Sequence, residues 1–418
     1  MQLSARVSSL KPSSTVAVMN KAAALKAQGV PVLSFGAGEP DFFTPDKAKI
    51  AGVRAILNND TKYQPTAGDV ATRELIARVL TEKNGVPGVT KDHVLVTAGV
   101  KMALYLTMQA LFDPPAPGQA AQEMLLPVPA WVSFAPIAEL AGARVVQMPT
   151  TTASGFKITP QQLREAINPR TRALLINSPS NPCSTMYTPA ELEALAQVID
   201  ERARAVAPDL VVIADELYQH IVFGDVPFRS VGSFASIAER VLTVNGSGKS
   251  FAMTGWRIGW VSGSGAFGKR FIEAATKLQG QTITAVPGFT MAATRSALTE
   301  CDEDLDRMKE AFKRRGALMY DLLRAIPGVQ VARPIGAFYV FPDVSAHYGK
   351  RTPGGVLIDS AAAFAAELLG AHHVAVVPGE DFLGDGHKHI RMSFACDEAQ
   401  ITEGCARLRA FIEGLRGA

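Results

Sequence analysis

The middle of this chain alternates between two textures. Short apolar runs appear at "HVLVTAG" (93–99), "EMLLPV" (123–128), "ARVVQM" (143–148), "RALLIN" (172–177), "LVVIAD" (210–215), "RVLTVNG" (240–246) and "WRIGWVSG" (256–263). Helix-length segments such as "VKMALYLTMQALF" and "TPAELEALAQVIDERARAVA" lie between several of them. A strand apolar at every position has both faces buried, which happens when helices cover both sides of a mostly parallel sheet. The pattern therefore predicts an α/β unit, and such sheets gather their functional residues beyond the strands' C-terminal ends.

After about residue 290 the texture changes. A charged helical segment, "DLDRMKEAFKRRGALMYDLLRAI", stops at Pro327-Gly328. Then come "FYVFPDV", an alanine-rich helix at "SAAAFAAELLG", strands at "HVAVVPG" and "HIRMSFA", and a last helix, which together read as a smaller α+β module. The expected division is a large domain over 46–290 and a small domain made from 1–45, an N-terminal arm, with 291–418.

Some functional classes drop out early. The 418 residues carry a net charge of +3, with both signs scattered, which offers no footprint for nucleic acid or a membrane surface. No run of about 18 apolar residues is present, so no membrane span is expected. The N-terminus has no apolar h-region, so a secretory leader is not expected either and the chain reads as cytoplasmic. Cys183, Cys301, Cys396 and Cys405 form no C-x-x-C pair and join no histidine at metal-binding spacing, so they read as free thiols with no metal site.

Two motifs suggest nucleotides and fail on spacing. "GSGKS" ends like a phosphate-binding P-loop, but the first glycine of that motif falls on Thr243, and strand-like sequence runs almost to Gly246. "GSGAFG" (263–268) fits G-x-G-x-x-G after a strand, yet no acidic residue stands about 20 positions on to hold a ribose.

The strand ends carry a different chemistry. "LVVIAD" leads into Asp215, Glu216 and Tyr218; "RALLIN" leads into Asn181; "VLVTAG" leads into a helix start at Gly99, Val100 and Lys101; Lys249 follows "RVLTVNG", with Arg257 eight residues later; Arg391 sits in a strand. Each has an ordinary structural explanation as a cap, a turn or an ion pair. Together they make an anion-binding helix start, an amine, a carboxylate, an amide, a phenol and two guanidinium groups. Pyridoxal phosphate requires such a set: N–H groups and an arginine for phosphate, a lysine for its aldehyde, a carboxylate for its ring nitrogen. An amino-acid substrate requires a bidentate arginine.

Those residues lie within "GAGEPDF" (36–42), "TKYQPTAG" (61–68), "VTAGVKMAL" (96–104), "PVPAWVSF" (127–134), "NSPSNP" (177–182), "ADELYQH" (214–220), "GKSFAMTGWRIG" (248–259), "GAFYVF" (336–341), "VAVVPGEDF" (374–382) and "IRMSFA" (390–395). In this order they resemble the class I aminotransferases of the aspartate aminotransferase superfamily, and the resemblance spans nearly the whole chain. It implies the fold type I architecture of pyridoxal-phosphate enzymes, and it implies roles. Lys249 resembles the Schiff-base lysine and proton shuttle, and Asp215 the partner of the ring nitrogen. Tyr218 and Asn181 are similar to the donors on the ring oxygen, Trp131 to the ring-stacking aromatic, and Arg257 with Gly99, Val100 and Lys101 to the phosphate cradle. Arg391 resembles the α-carboxylate clamp, assisted by Gly38. Tyr63 is similar to a tyrosine that reaches a neighbouring subunit's phosphate, which implies a homodimer with shared sites.

The sequence departs from that pattern in places. Gly246 stands where serine is frequent, Gly248 where Ser or Ala is commoner, and Cys183 follows "NP". For the substrate, Lys101 and Thr15 resemble residues associated with acidic side chains. The expectation is ping-pong transamination of L-aspartate with 2-oxoglutarate. Prephenate, aromatic or other amino acids, and carbon–sulfur lysis, are the alternatives.

Overall fold

The computed structural model describes residues 3–8, 10 and 14–417. Its centre is a seven-stranded sheet: β1 (Val94–Thr97), β2 (Glu123–Val128), β3 (Arg144–Pro149), β4 (Thr171–Asn177), β5 (Val211–Asp215), β6 (Val241–Asn245) and β7 (Gly259–Gly263). The spatial order is β1-β7-β6-β5-β4-β2-β3. Pairing is parallel from β6 through β5, β4 and β2 to β3, and β7 runs antiparallel to both its neighbours. All seven apolar runs are therefore strands, in a sheet of the expected kind.

Both faces of the sheet are covered, which is why the runs are continuous. Along β4, Ala173 and Leu175 pack with the helices Val100–Leu111 and Gly265–Gly280, while Leu174 and Ile176 pack with Pro189–Ala205. The pleat sends neighbours to opposite faces, so each face demands its own apolar series. The Pro189–Ala205 helix starts with a capping box, Thr188 with Glu191, and with proline at its first turn. Its buried stripe includes Leu192, Leu195, Ala196 and Ile199.

The rejected G-x-G-x-x-G has a packing role. A Cβ at Gly268 would lie 2.5 Å from the Gly263 carbonyl carbon, so these two glycines let the Gly265–Gly280 helix sit against the end of β7.

The C-terminal residues build a second core around Phe312, Phe338, Phe364, Phe394 and Leu408, and Phe35 from the N-terminal segment joins it. Phe35 is fully buried, worth about 1.5–3 kcal/mol. Gly404, in the helix Glu398–Gly414, makes room for it: a Cβ there would meet the Phe35 ring at 2.3 Å. The run "HVAVVPG" is not one strand. Val374–Ala375 pairs in parallel with Leu33–Ser34, while Val377–Pro378 pairs antiparallel with Ile390–Arg391. The N-terminal segment competes for the first half of the run, so a continuous apolar stretch is divided between two sheets. Ser393 N donates to Phe35 O at 2.8 Å, which brings Gly36 and Gly38 beside the Arg391 strand.

No helix among the described residues is long and apolar enough to cross a membrane, and no group of His, Cys, Asp and Glu among them is arranged to hold a metal ion.

Candidate active site

The C-terminal ends of β1, β4, β5 and β6 open onto a cavity of 410 Å³. Gly38, Gly99, Val100, Lys101, Trp131, Asn181, Asp215, Tyr218, Lys249, Arg257 and Arg391 all line it. The sequence had singled out each of them. Val16 lines it too, from the helix Ser14–Ala27; the side chain of its neighbour Thr15 falls outside the described residues. Tyr63 does not line the cavity. It is 91% exposed and borders a separate hollow with Pro287 and Phe289.

Lys249 sits in a single helical turn, Ser247–Ser250, directly after β6. Its Nζ donates to the carbonyl oxygen of Gly38. Burial lowers its pKa to about 8, opposed by Glu39 and Asp215, while Arg391 and Arg257 push with the burial. Asp215 ends β5 opposite Asn177 of β4, and both lie at the cavity. Its Oδ1 accepts from Leu217 N at 3.1 Å. Burial nonetheless raises its pKa to about 7, although that backbone donor and Lys249 both favour the charged form. This carboxylate thus lies at the cavity with too little positive charge beside it to offset its burial.

The opposite sign of charge gathers elsewhere. Arg257 is in the left-handed region at φ 53°, where its chain bends between Thr254–Trp256 and β7. Its guanidinium lies against Gly99: a Cβ there would sit 2.8 Å from Nη2, and Gly99 itself has φ 82°. Glycine is thus required twice over, by conformation and by space. Gly99 caps the helix Val100–Leu111, whose first N–H groups lack acceptors within the helix. A helix N-terminus and a guanidinium facing one point make an anion cradle. Lys101 lies 5.0 Å over the Trp131 ring, and burial of its stem, then Arg257, hold its pKa below the usual lysine range. Trp131 is itself held edge-on by Phe134, at 5.2 Å.

Arg391 is 3% exposed. It donates to Asn181 Oδ1 at 3.2 Å and to Gly36 O at 3.0 Å, and its Nε has no partner. Among the described residues neither Arg391 nor Arg257 forms an ion pair with a carboxylate. A buried cation left in this state is poised for an anion from outside. Tyr218 shares a hydrogen bond of 3.1 Å with Tyr339, and burial raises its pKa well above the ordinary range.

Sequence reasoning passed over several residues here. Tyr339 was inside a quoted motif but had no assigned role. Asn177 anchors the turn to Asn181, accepting from Asn181 N at 2.9 Å, and its Nδ2 donates to Asp215 O at 3.1 Å. Thr254 donates to Glu39 at 2.7 Å, tying the N-terminal segment to the Arg257 bend. Asn177 had a readable signal, since it is the last residue of a strand in an open α/β sheet. Cys183 is buried with Phe156, Phe341, Val377 and Phe382, outside the cavity lining.

The aminotransferase class I and II family model matches residues 30–408. The aspartate/prephenate aminotransferase of Cereibacter sphaeroides is 38% identical over 414 residues, covering 99% of each chain. That of Thermus thermophilus is 39% identical over 408 residues, covering 97% of each. Among solved structures, the aspartate aminotransferase from Rhizobium meliloti superposes with a TM-score of 0.91 at 35% identity, covering 100% of both chains. The Thermus thermophilus aspartate aminotransferase with maleate gives 0.87 at 38% identity, covering 98% of this chain and 100% of that one.

Proposed function

This chain belongs to the aminotransferase class I and II family, and from that premise we propose that it binds pyridoxal 5'-phosphate at Lys249 and transfers amino groups between L-aspartate and 2-oxoglutarate. The observation that carries the reading is one cavity holding a buried amine, Lys249, together with two guanidinium groups, Arg257 and Arg391, that have no carboxylate partner among the described residues.

The residues fit the cofactor. The Gly99 helix start and Arg257 suit a phosphate, Asp215 suits a protonated ring nitrogen, and Trp131 offers a ring face. When bound, pyridoxal phosphate supplies an aldehyde for an amine and a protonated ring that takes up electrons from the substrate's α-carbon. Asp215 would hold the ring nitrogen's proton, and a cation beside it would favour the charged form of its carboxyl. The Lys249 amine would hold the aldehyde and, when free, would serve as the base that moves a proton from the substrate's α-carbon. Asn181 Oδ1 is taken by Arg391, so its amide nitrogen is free to donate to the ring oxygen beside Tyr218. Arg391 takes the α-carboxylate with two parallel hydrogen bonds, helped by the N–H of Gly38.

Lys101 is the residue we assign to a second carboxylate, which favours aspartate and 2-oxoglutarate. Prephenate carries an acidic group that Lys101 would also meet, and the names of the relatives pair the two substrates. We further propose a homodimer in which Tyr63 serves the neighbouring site. Tyr63 and Phe43 are 91% and 90% exposed, and the helix Asp46–Leu57 presents Ile50, Val53, Ile56 and Leu57 to solvent. Such a surface suits a second copy. The large unit over 46–290 and the small unit over 1–45 and 291–418 are proposed as the bodies that close on substrate. Four free cysteines support a reducing, cytoplasmic setting.

The test is the visible spectrum of the purified protein supplied with cofactor, recorded before and after L-aspartate, followed by initial rates against both substrates. A bound-cofactor band that L-aspartate converts to the amine form, with parallel double-reciprocal lines, is expected. A band indifferent to aspartate moves the assignment to other donors. No band in excess cofactor overturns it altogether.

A further inference from the structure

We infer that Tyr339 is a positioning residue that joins the carboxylate clamp to the ring-oxygen donor, aiming Arg391 with its ring and Tyr218 with its hydroxyl. The inference rests on the cofactor reading above.

The local fold brings these groups together. The strand Tyr339–Val340 pairs antiparallel with Ile390–Ser393, with Tyr339 opposite Ser393. Arg391 lies two residues before Ser393, hence on the same face and diagonal to Tyr339. The Arg391 guanidinium accordingly sits 4.7 Å from the centre of the Tyr339 ring. Tyr339 is 1% exposed, and its backbone N–H donates to Ser184 Oγ at 2.8 Å, which pins the strand end. Its hydroxyl lies 3.1 Å from the Tyr218 hydroxyl, and a Cβ on Gly38 would come within 3.5 Å of it. One side chain therefore touches both a clamp and a phenol donor, with Gly38 leaving space beside its hydroxyl.

The direction of the shared hydrogen bond has a consequence for Tyr218. Each hydroxyl has one proton and two acceptor sites, and in this pair either oxygen can donate. If Tyr218 gives its proton to the ring oxygen, the bond between the tyrosines must run from Tyr339 O–H to Tyr218 O. A hydroxyl that accepts while it donates is the stronger donor, because the two bonds polarise each other. The Tyr339 hydroxyl thus strengthens the bond from Tyr218 to the cofactor. Its ring acts separately. Arg391 Nε has no hydrogen-bond partner, so the aromatic face helps set the plane in which the guanidinium meets a carboxylate.

Hydroxyl and ring can be tested apart. Tyr339→Phe removes the donor and keeps the face; Tyr339→Leu removes both. The readouts are the pH midpoint of the bound cofactor's visible band, and the Kd for succinate, a dicarboxylate without an amino group. In Tyr339→Phe the midpoint should move up by about half to one pH unit, with succinate affinity within about twofold of wild type. In Tyr339→Leu the midpoint should move likewise, and succinate should bind about 3- to 30-fold more weakly. A general structural defect would not separate the two readouts in this way. An unmoved Tyr339→Phe midpoint on an intact wild-type band overturns this inference alone, and so does a Tyr339→Phe variant that has lost its grip on succinate. A wild-type protein with no titrating band removes the cofactor reading, and this inference with it. Tyr339→Phe changes one oxygen atom, so it decides the hydroxyl's part even where Tyr339→Leu fails to fold; Tyr339→Met, which fills the space without a ring, then decides the ring's part by the same succinate Kd.

Discussion

Arg391 donates to the side-chain oxygen of Asn181 across 3.2 Å, although the two residues are 210 positions apart in the chain. The bond orients both. It turns the Asn181 amide nitrogen away from the arginine, and it leaves the second guanidinium edge on the Gly36 carbonyl. Arg391→Lys keeps the charge but loses the planar fork. It should lower kcat/KM for amino donors by about 30- to 1000-fold. Asn181→Ala leaves Arg391 charged and one partner short, so the loss should be smaller. Steady-state kinetics on both variants check the order; Asn181→Ala as the more damaging change would contradict it.

On the proposed function, covalent attachment of the cofactor would require Lys249 without its proton. Burial brings that pKa to about 8. The rate at which the cofactor-free protein takes up cofactor should therefore climb with pH and level off above about 8, instead of climbing on towards the ordinary lysine range near 10.4. Stability has the matching sign. A lowered pKa contributes stability that is fully present above the unfolded value, and it is lost as pH falls through about 8. Uptake followed by absorbance over that range decides the point, and a midpoint near the free-lysine value would refute it.

Gly246 and Gly248 flank the same turn but differ in what they tolerate. A Cβ at Gly246 would lie 2.9 Å from both the Ile258 carbonyl oxygen and the Val100 side chain. Gly246→Ala should push β6 away from the bend before β7, cost about 1–3 kcal/mol, and loosen cofactor retention. At Gly248 the nearest atom to a Cβ is Thr254 Cα, at 3.7 Å, and the residue is inside the helical turn. Gly248→Ala should be accommodated, with a gain of about 0.4–1 kcal/mol. Thermal melts of the two variants should move in opposite directions.

Glu216, 1% exposed behind Asp215, accepts from Ser230 Oγ at 2.9 Å and from Val231 N at 2.8 Å through Oε1, while Oε2 has no partner. Burial raises its pKa to about 8. A raised carboxyl pKa contributes stability below the unfolded value that is lost as pH rises through the folded one. Glu216→Gln copies the neutral form. It should match wild type below the unfolded carboxyl pKa, pull ahead by about 1.4 kcal/mol per pH unit as the pH rises towards about 8, and keep that lead at higher pH. Denaturant melts across that range test this; a difference between the two proteins that does not change with pH would mean that Glu216 is already charged in the fold.

Much of this was readable in the chain. The seven apolar runs announced their strands because a strand buried on both faces must be apolar at consecutive positions. The glycine at 99 and the acid at 215 stood at strand ends, where an α/β sheet places its chemistry. The run "HVAVVPG" misled, because composition reports that a segment is buried and says nothing about which partner buries it. Two sheets claim its halves. Tyr339 went without a role for a related reason: its neighbours Tyr218 and Arg391 lie 121 and 52 residues away along the chain.

The sequence by itself determined the alternating α/β pattern, the class of chemistry, and the charged and hydrogen-bonding side chains on which the site reading rests, since those follow from local composition and from residue type at strand ends. Only the tertiary structure decided which groups touch. It set Phe35 into the second core, and with it Gly36 and Gly38 beside Arg391; it laid Arg257 on Gly99; and it stacked Arg391 on Tyr339. Those contacts come from non-local strand pairing and packing. Their energies depend on distance and burial, and neither quantity is written in the order of residues.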